Sequence, residues 1–263
     1  MWAYNFMQHA LISGILVSTI CGIVSVLVVI RRSAFASHAL GHMSLTGAAG
    51  AIFIGVNPLF GQLILNLIAS TIMGIIGDKV KRNDLAVGVV LAFVLGLGSY
   101  FLFLFQNNYA GNVISILFGN ILAVSTSQIY YLSILFMIVI IILGIFARQL
   151  IFASIDPSIA NSKNIPIKKL SIVFFIILAI TVSMACQIVG ALLIFVMLIV
   201  PGAIALQWCD SIFKTIILSI LVANLSLIFG LYFSFWLNLP VSFFITSSLC
   251  SMYLIGFIKN RLF

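Results

Sequence analysis

The strongest constraint on this chain is where its charges are absent. Nine predominantly apolar stretches, near 9–30, 36–56, 60–77, 85–105, 127–148, 169–185, 188–206, 214–236 and 241–258, carry Lys, Arg or Asp only at their edges. Each is long enough, at about 17 residues or more, to cross a bilayer as a helix. In lipid every backbone N–H and C=O must find its partner within the protein, and a single apolar run achieves this by coiling into an α-helix. A further apolar piece, 113–124, is too short to cross and reads as a re-entrant or half-helix. The expected fold is all-α: a polytopic membrane helical bundle with about eight to nine transmembrane helices plus a short re-entrant helix. No linker, low-complexity tract or internal repeat divides it, so residues 1–263 are expected to form a single transmembrane domain.

The charged residues supply an orientation. Against 12 Lys and Arg there are four acidic residues, Asp78, Asp84, Asp156 and Asp210, and no glutamate. With the N-terminus outside, every cation falls on the cytoplasmic side: Arg31, Arg32, Lys79, Lys81, Arg82, Arg148, Lys163, Lys168, Lys169, Lys214, Lys259 and Arg261. The other side carries none, which is the asymmetry of positive-inside membrane proteins. The C-terminus is then cytoplasmic. The net charge of +8 is thus a topology signal in a membrane-lipid environment. No basic stripe with base-stacking residues accompanies it, so nucleic acid is not an expected partner. The opening MWAYNFMQH has no Lys or Arg and no small-residue cleavage site, and reads as leading into a retained first span. Cys21, Cys186, Cys209 and Cys250 are scattered without CxxC spacing and read as packing residues.

One segment departs from plain apolar sequence. In RRSAFASHALGHMSLTGAAGA, residues 31–51, His38 and His42 stand four residues apart among Ala, Gly, Ser and Thr. On a helix that spacing puts both imidazoles on one face at successive turns. Thr46 continues the stripe as a possible pore-lining residue. Ser37, Gly41, Ser44 and Ala48 form a smooth neighbouring stripe where another helix can approach. Histidines at membrane depth normally face the bundle interior or a water-filled path. Neutral imidazole is a favoured ligand for zinc and other first-row divalent metals. A His-x3-His pair supplies two of the four ligands zinc prefers, and incomplete coordination is what a transient transport site needs. The competing reading is that each histidine only hydrogen-bonds a neighbouring helix.

The absences narrow the function. HALGH has the spacing of HExxH, but Ala39 occupies the position of the glutamate base. An intramembrane metal-dependent enzyme using the His38/His42 pair is the alternative class; it lacks a positioned acid or base, and no catalytic residue is assigned. No GxxxxGK[ST] loop occurs, so ATP would have to be hydrolysed by another subunit. All four aspartates fall in or beside cytoplasmic loops, which weakens an ion-coupled carrier. In the long connection Gln149 to Lys168, Asp156 before Pro157 makes a helix N-cap, predicting a short amphipathic surface helix; a solvated loop is the plain alternative.

At this point the sequence resembles a known family. RRSAFASHALGHMSLTGAAGAIFIGVNP is similar to the second-span signature of the membrane permease subunit of bacterial ABC importers for zinc, manganese and iron. SILFGNILAVS resembles the family's Leu-Phe-Gly-Asp-Leu-Leu stretch, SIDPSIA the start of its coupling region, and VGALLIFVMLIVPGAIA its late proline-containing span. The resemblance implies a homodimer in the bacterial inner membrane, with the ion passing between the subunits. It also implies two cytoplasmic ATP-binding subunits docked on the coupling loops and an extracytoplasmic metal-binding protein that delivers the ion. His42 matches the family's pore histidine, and His38 stands where many members have aspartate. Two imidazoles favour zinc over manganese, which prefers oxygen ligands, and an importer of manganese or iron is the alternative within the family. Asp156, Pro157, Ser158, Ile159 and Ala160 match the ATPase-coupling stretch, with Ser158 in place of a common glutamate and Asn120 in place of a common aspartate. No tightly bound cofactor is expected; the divalent metal is cargo.

Overall fold

The computed structural model describes residues 4–79, 83–104, 119–155, 157–163 and 165–262, and among them the chain is helical with no strand. The helices are α1 (Asn5–Ile30), α2 (Ala34–Ile54), α3 (Pro58–Lys79), α4 (Asn83–Leu104), α5 (Thr126–Ile155), α6 (Pro157–Ser162), α7 (Ile167–Val189), α8 (Ala191–Met197), α9 (Val200–Trp208), α10 (Ile212–Leu237) and α11 (Val241–Leu262). Among the described residues, eight stretches are long and apolar enough to cross a membrane: α1, α3, α4, α5, α7, α8 with α9, α10 and α11.

The helix missing from that set is α2, and the reason is chemical. Its 21 residues reach about 31 Å at about 1.5 Å per residue, enough to cross. Two histidines, three serine and threonine residues and its glycines dilute the hydropathy. Such a helix is unfavourable against lipid, so it is sheathed by α3, α4, α7 and α8. The contact with α3 is closest at a pair of glycines. A Cβ on Gly47 would lie 2.6 Å from the Gly61 carbonyl oxygen, so the two backbones touch where side chains are missing.

The centre of the bundle is α1 and α7, whose best 18-residue windows are 67% and 78% buried, whereas α5 and α11 are 17% buried and face outward. Buried hydroxyls tie α1 to the antiparallel α10: Ser25 meets Ser219 at 2.9 Å, and Ser18 donates to Asn224 at 2.7 Å. At the cationic end of α1, Arg31 donates to Ser171 at 2.9 Å and lies 4.7 Å over the Phe174 ring. Burial lowers its guanidinium to about 10, still charged at neutral pH. The helix directions place the Lys and Arg of the described segments at the same set of helix ends.

Two boundaries differ from the expectation. Spans at 169–185 and 188–206 placed the turn at Cys186–Gln187, the most polar point of the run. The chain instead stays helical to Val189 and turns at Gly190, whose φ of 89° and ψ of 156° suit only glycine. The following span is itself broken at Leu198–Ile199, just before Pro201, which lies in the first turn of α9. The proposed re-entrant piece, 113–124, lies outside the described residues up to 118. Its described remainder is a short 3₁₀ turn, Ile121–Ala123.

Candidate ion site on the second helix

The two histidines meet. His38 and His42 approach with their Nε2 atoms 3.2 Å apart and their rings edge-on at 87°. In the free pair one Nε2–H donates to the other Nε2 lone pair. The ring of His38 also packs edge-on against Phe195 of α8, with centroids 4.9 Å apart. Between the histidines sits Gly41, where a Cβ would lie 3.3 Å from the Ala191 carbonyl oxygen, so the small residue lets the start of α8 close on this face. Both imidazoles are half-buried.

The separation fixes what the pair can hold. At a zinc–nitrogen distance of about 2.05 Å, nitrogens 3.2 Å apart subtend about 100° at the metal, near a tetrahedral angle. At this separation the pair can share a proton, or chelate one ion once the rings turn their lone pairs off the N···N line and onto the metal. Among the described residues no cluster of three or more His, Cys, Asp or Glu side chains exists. Further ligands would come from water, backbone or another chain.

Thr46 is placed differently from the histidines. It is buried and its Oγ1 donates to the Val94 carbonyl of α4 at 3.1 Å, so its hydroxyl proton is committed to a helix contact. His9 is remote from the pair in its bonding: its Nδ1–H donates to the Val124 carbonyl at 3.1 Å. Cys21 and Cys186 are free and buried, as packing residues would be, whereas Cys209 is half-buried and Cys250 exposed. In the coupling stretch, α6 is a six-residue helix starting at Pro157. Asp156, and the side chains of Pro157 and Ser158, lie outside the described residues. Ala160 is buried and Ile159 is 47% exposed.

Sequence reasoning passed over a polar seam between α3 and α7. Asn66 is fully buried and donates to Ser44 at 2.7 Å and to Ser183 at 2.9 Å, bridging three helices. Gln62 and Gln187 stand one turn away on the same two helices. The signal was present in the sequence, as polar residues paired at four-residue spacing inside two apolar runs.

An all-α polytopic bundle with an imidazole pair inside it and no P-loop in its sequence has the makings of a transport subunit. The chain belongs to the ABC 3 transport family, matching it over residues 3–260. It is thus a membrane permease of the ATP-binding-cassette class and not itself an enzyme, with the ATPase in a separate subunit; the intramembrane-enzyme reading gains no support. The manganese transport system membrane protein MntC of Listeria monocytogenes is 30% identical over 237 residues, covering 90% of this chain and 84% of that protein. The high-affinity zinc uptake system membrane protein ZnuB of Haemophilus influenzae is 30% identical over 232 residues, covering 88% of each. Among solved structures, PsaBC from Streptococcus pneumoniae in complex with Fab superposes with a TM-score of 0.85 at 27% identity, over 97% of this chain and 91% of that one. Relatives named for manganese and for zinc stand at the same identity, so overall similarity does not separate the two metals.

Proposed function

We propose that this chain forms the transmembrane path for a divalent cation, zinc first, in an importer of the bacterial inner membrane. Residues 1–263 act as one permease domain with the N-terminus outside and the C-terminus in the cytoplasm. Two copies assemble around the path. An ATPase engages each α6 through Asp156 to Ala160, and an extracytoplasmic metal-binding protein delivers the ion.

The observation that carries this reading is the 3.2 Å separation of the His38 and His42 Nε2 atoms. An arriving ion displaces the shared Nε2 proton, the donor ring takes its Nδ1–H form, and two lone pairs converge on the metal. Two protein ligands are enough to select the ion and too few to trap it. Paired imidazoles suit zinc better than manganese, whose preference is for oxygen. Manganese is the second reading, supported by the relatives named for it.

The test is metal uptake and metal-stimulated ATP hydrolysis by the complete complex in proteoliposomes. His42→Ala is expected to abolish both with membrane abundance and melting temperature unchanged. His38→Asp shifts preference toward manganese by adding a hard oxygen ligand. Protons compete for the same lone pairs, so uptake falls on acidification. Loss of folded protein in step with loss of uptake would return both histidines to a structural role.

A further inference from the structure

A cavity of about 280 Å³ opens between α3 and α4 over the second half of α2. Its floor is backbone left bare by Gly47 and Gly50 of α2 and Gly61 of α3, with Ala51 beside them. Leu97 and Phe101 of α4 form one wall, and a Cβ on Gly50 would meet the Phe101 ring at 3.4 Å, an ordinary contact. The mouth is framed by Ile64 and Ile68 of α3, which are 59% and 54% exposed. The one hydrogen-bonding side chain in the lining is Thr46, and its hydroxyl proton is committed to the Val94 carbonyl at 3.1 Å.

The chemistry of the lining selects the occupant. An apolar cavity of about 150 Å³ stays dry and accepts a benzene, and this one is nearly twice that size. A water would need two to four polar partners, and no side chain here has a free donor. Left empty, the floor and walls would forfeit their dispersion contacts. The mouth lies along the membrane-spanning stretches Pro58–Ile76 and Asp84–Phe101, so hydrocarbon borders it. Helices that pair within a bilayer approach through small residues, whereas this mouth presents isoleucines and the half-exposed ring of Phe60. The second protomer of the proposed function belongs on the other flank of α4. There Gly88 and Ala92 border a separate cavity with Phe35, one turn before His38. At about 100° per residue, Leu97 stands about 180° around α4 from Gly88, and Gly47 and Ala51 stand about 140° and 180° around α2 from His42.

We propose that this cavity is a lipid site that seats one fatty acyl chain of a bilayer phospholipid, entering between Ile64 and Ile68 and lying on Gly50 and Ala51. The chain packs against the helix that carries the histidines, on the face turned away from them. No Lys or Arg lines the cavity, so the chain is recognised and the headgroup is not. The proposed function supplies only the side on which the second protomer sits.

The test is native mass spectrometry of the full chain in detergent, with palmitoyl-oleoyl phosphatidylethanolamine and palmitoyl-oleoyl phosphatidylglycerol as probes. The wild type is expected to retain either lipid equally. Gly50→Leu fills the cavity from its floor and Ile64→Trp closes it from the exposed mouth. Each should lower retention by about tenfold or more, while Gly50→Ala, which leaves most of the space, should retain lipid as the wild type does. Thermal melting supplies a second reading: added lipid should raise the wild-type melting temperature and leave that of Gly50→Leu unchanged. A wild type that retains no lipid overturns the proposal, as does retention indifferent to both Gly50→Leu and Ile64→Trp. So does a strong preference for phosphatidylglycerol, which would mean headgroup capture elsewhere. A disulfide between the Ile64→Cys positions of two protomers in a cysteine-free background would assign the groove to a second copy and also overturn it. Failure of the transport reading looks different: His38→Ala and His42→Ala would then leave uptake untouched, whatever the lipid does.

Discussion

Arg31 shows how much one side chain can be asked to do at the edge of the bilayer. It closes α1 onto α7 through Ser171 and the face of Phe174, with one guanidinium nitrogen, Nη1, buried and without a hydrogen-bond partner among the described residues. An arginine tolerates that position because burial lowers it only to about 10. A lysine begins from about 10.4 and has neither the planar stack nor the fork of donors. Arg31→Lys is therefore expected to cost about 1–2 kcal/mol at pH 7. Its folded-state pKa is depressed, so the unfolded chain binds more protons, and stability should recover as pH is raised toward 10. Thermal melting in detergent across that range checks it, and a pH-independent deficit would contradict it. At this scale the histidines were legible in advance because helical spacing alone stacks residues four apart. Gln62, Asn66 and Gln187 were not singled out, since a lone carboxamide in an apolar run says nothing of its partner until two helices are paired.

At the scale of elements, apolar length predicted most of the helices, because the bilayer leaves a continuous apolar segment one way to satisfy its backbone. Where the prediction slipped, a backbone property overrode hydropathy. Hydropathy put a turn between the spans 169–185 and 188–206, but a turn needs unusual dihedrals, and Gly190 provides them. The break before Pro201 likewise follows from a missing N–H and not from composition. Glycine also sets the deepest helix contact. A methyl group on Gly61 would press into the Gly47 backbone and the Ala51 side chain. Gly61→Ala should cost about 1–3 kcal/mol through overpacking that backbone cannot relieve. Because α2 carries the histidines, uptake should fall with it, and wild-type melting for this variant would show that α2 and α3 are less tightly apposed.

For the whole molecule the distribution of charge and the alternation of helices agree. Helices α2 and α3 run antiparallel, as do α3 and α7, and α1 and α10, so among the described residues Arg31 and Arg32, Lys168 and Lys169, and Lys214 collect at one end of the bundle. With that end cytoplasmic, a cysteine-free background labelled from outside should react at Asn238→Cys and stay silent at Ser162→Cys. The reverse pattern would invert the orientation. Packing within one chain was partly readable from sequence, but under the proposed function the ion's remaining ligands lie beyond the histidine pair and were not.

The central claim is that His38 and His42 hold the passing metal together, and zinc K-edge X-ray absorption on the zinc-loaded permease in nanodiscs tests it most directly. The expected spectrum contains at least two imidazole ligands per zinc at about 2.0–2.1 Å, and that imidazole scattering disappears in the double variant His38→Ala with His42→Ala. A zinc shell of oxygen alone in the wild type, or an imidazole count unchanged in the double variant, would contradict it.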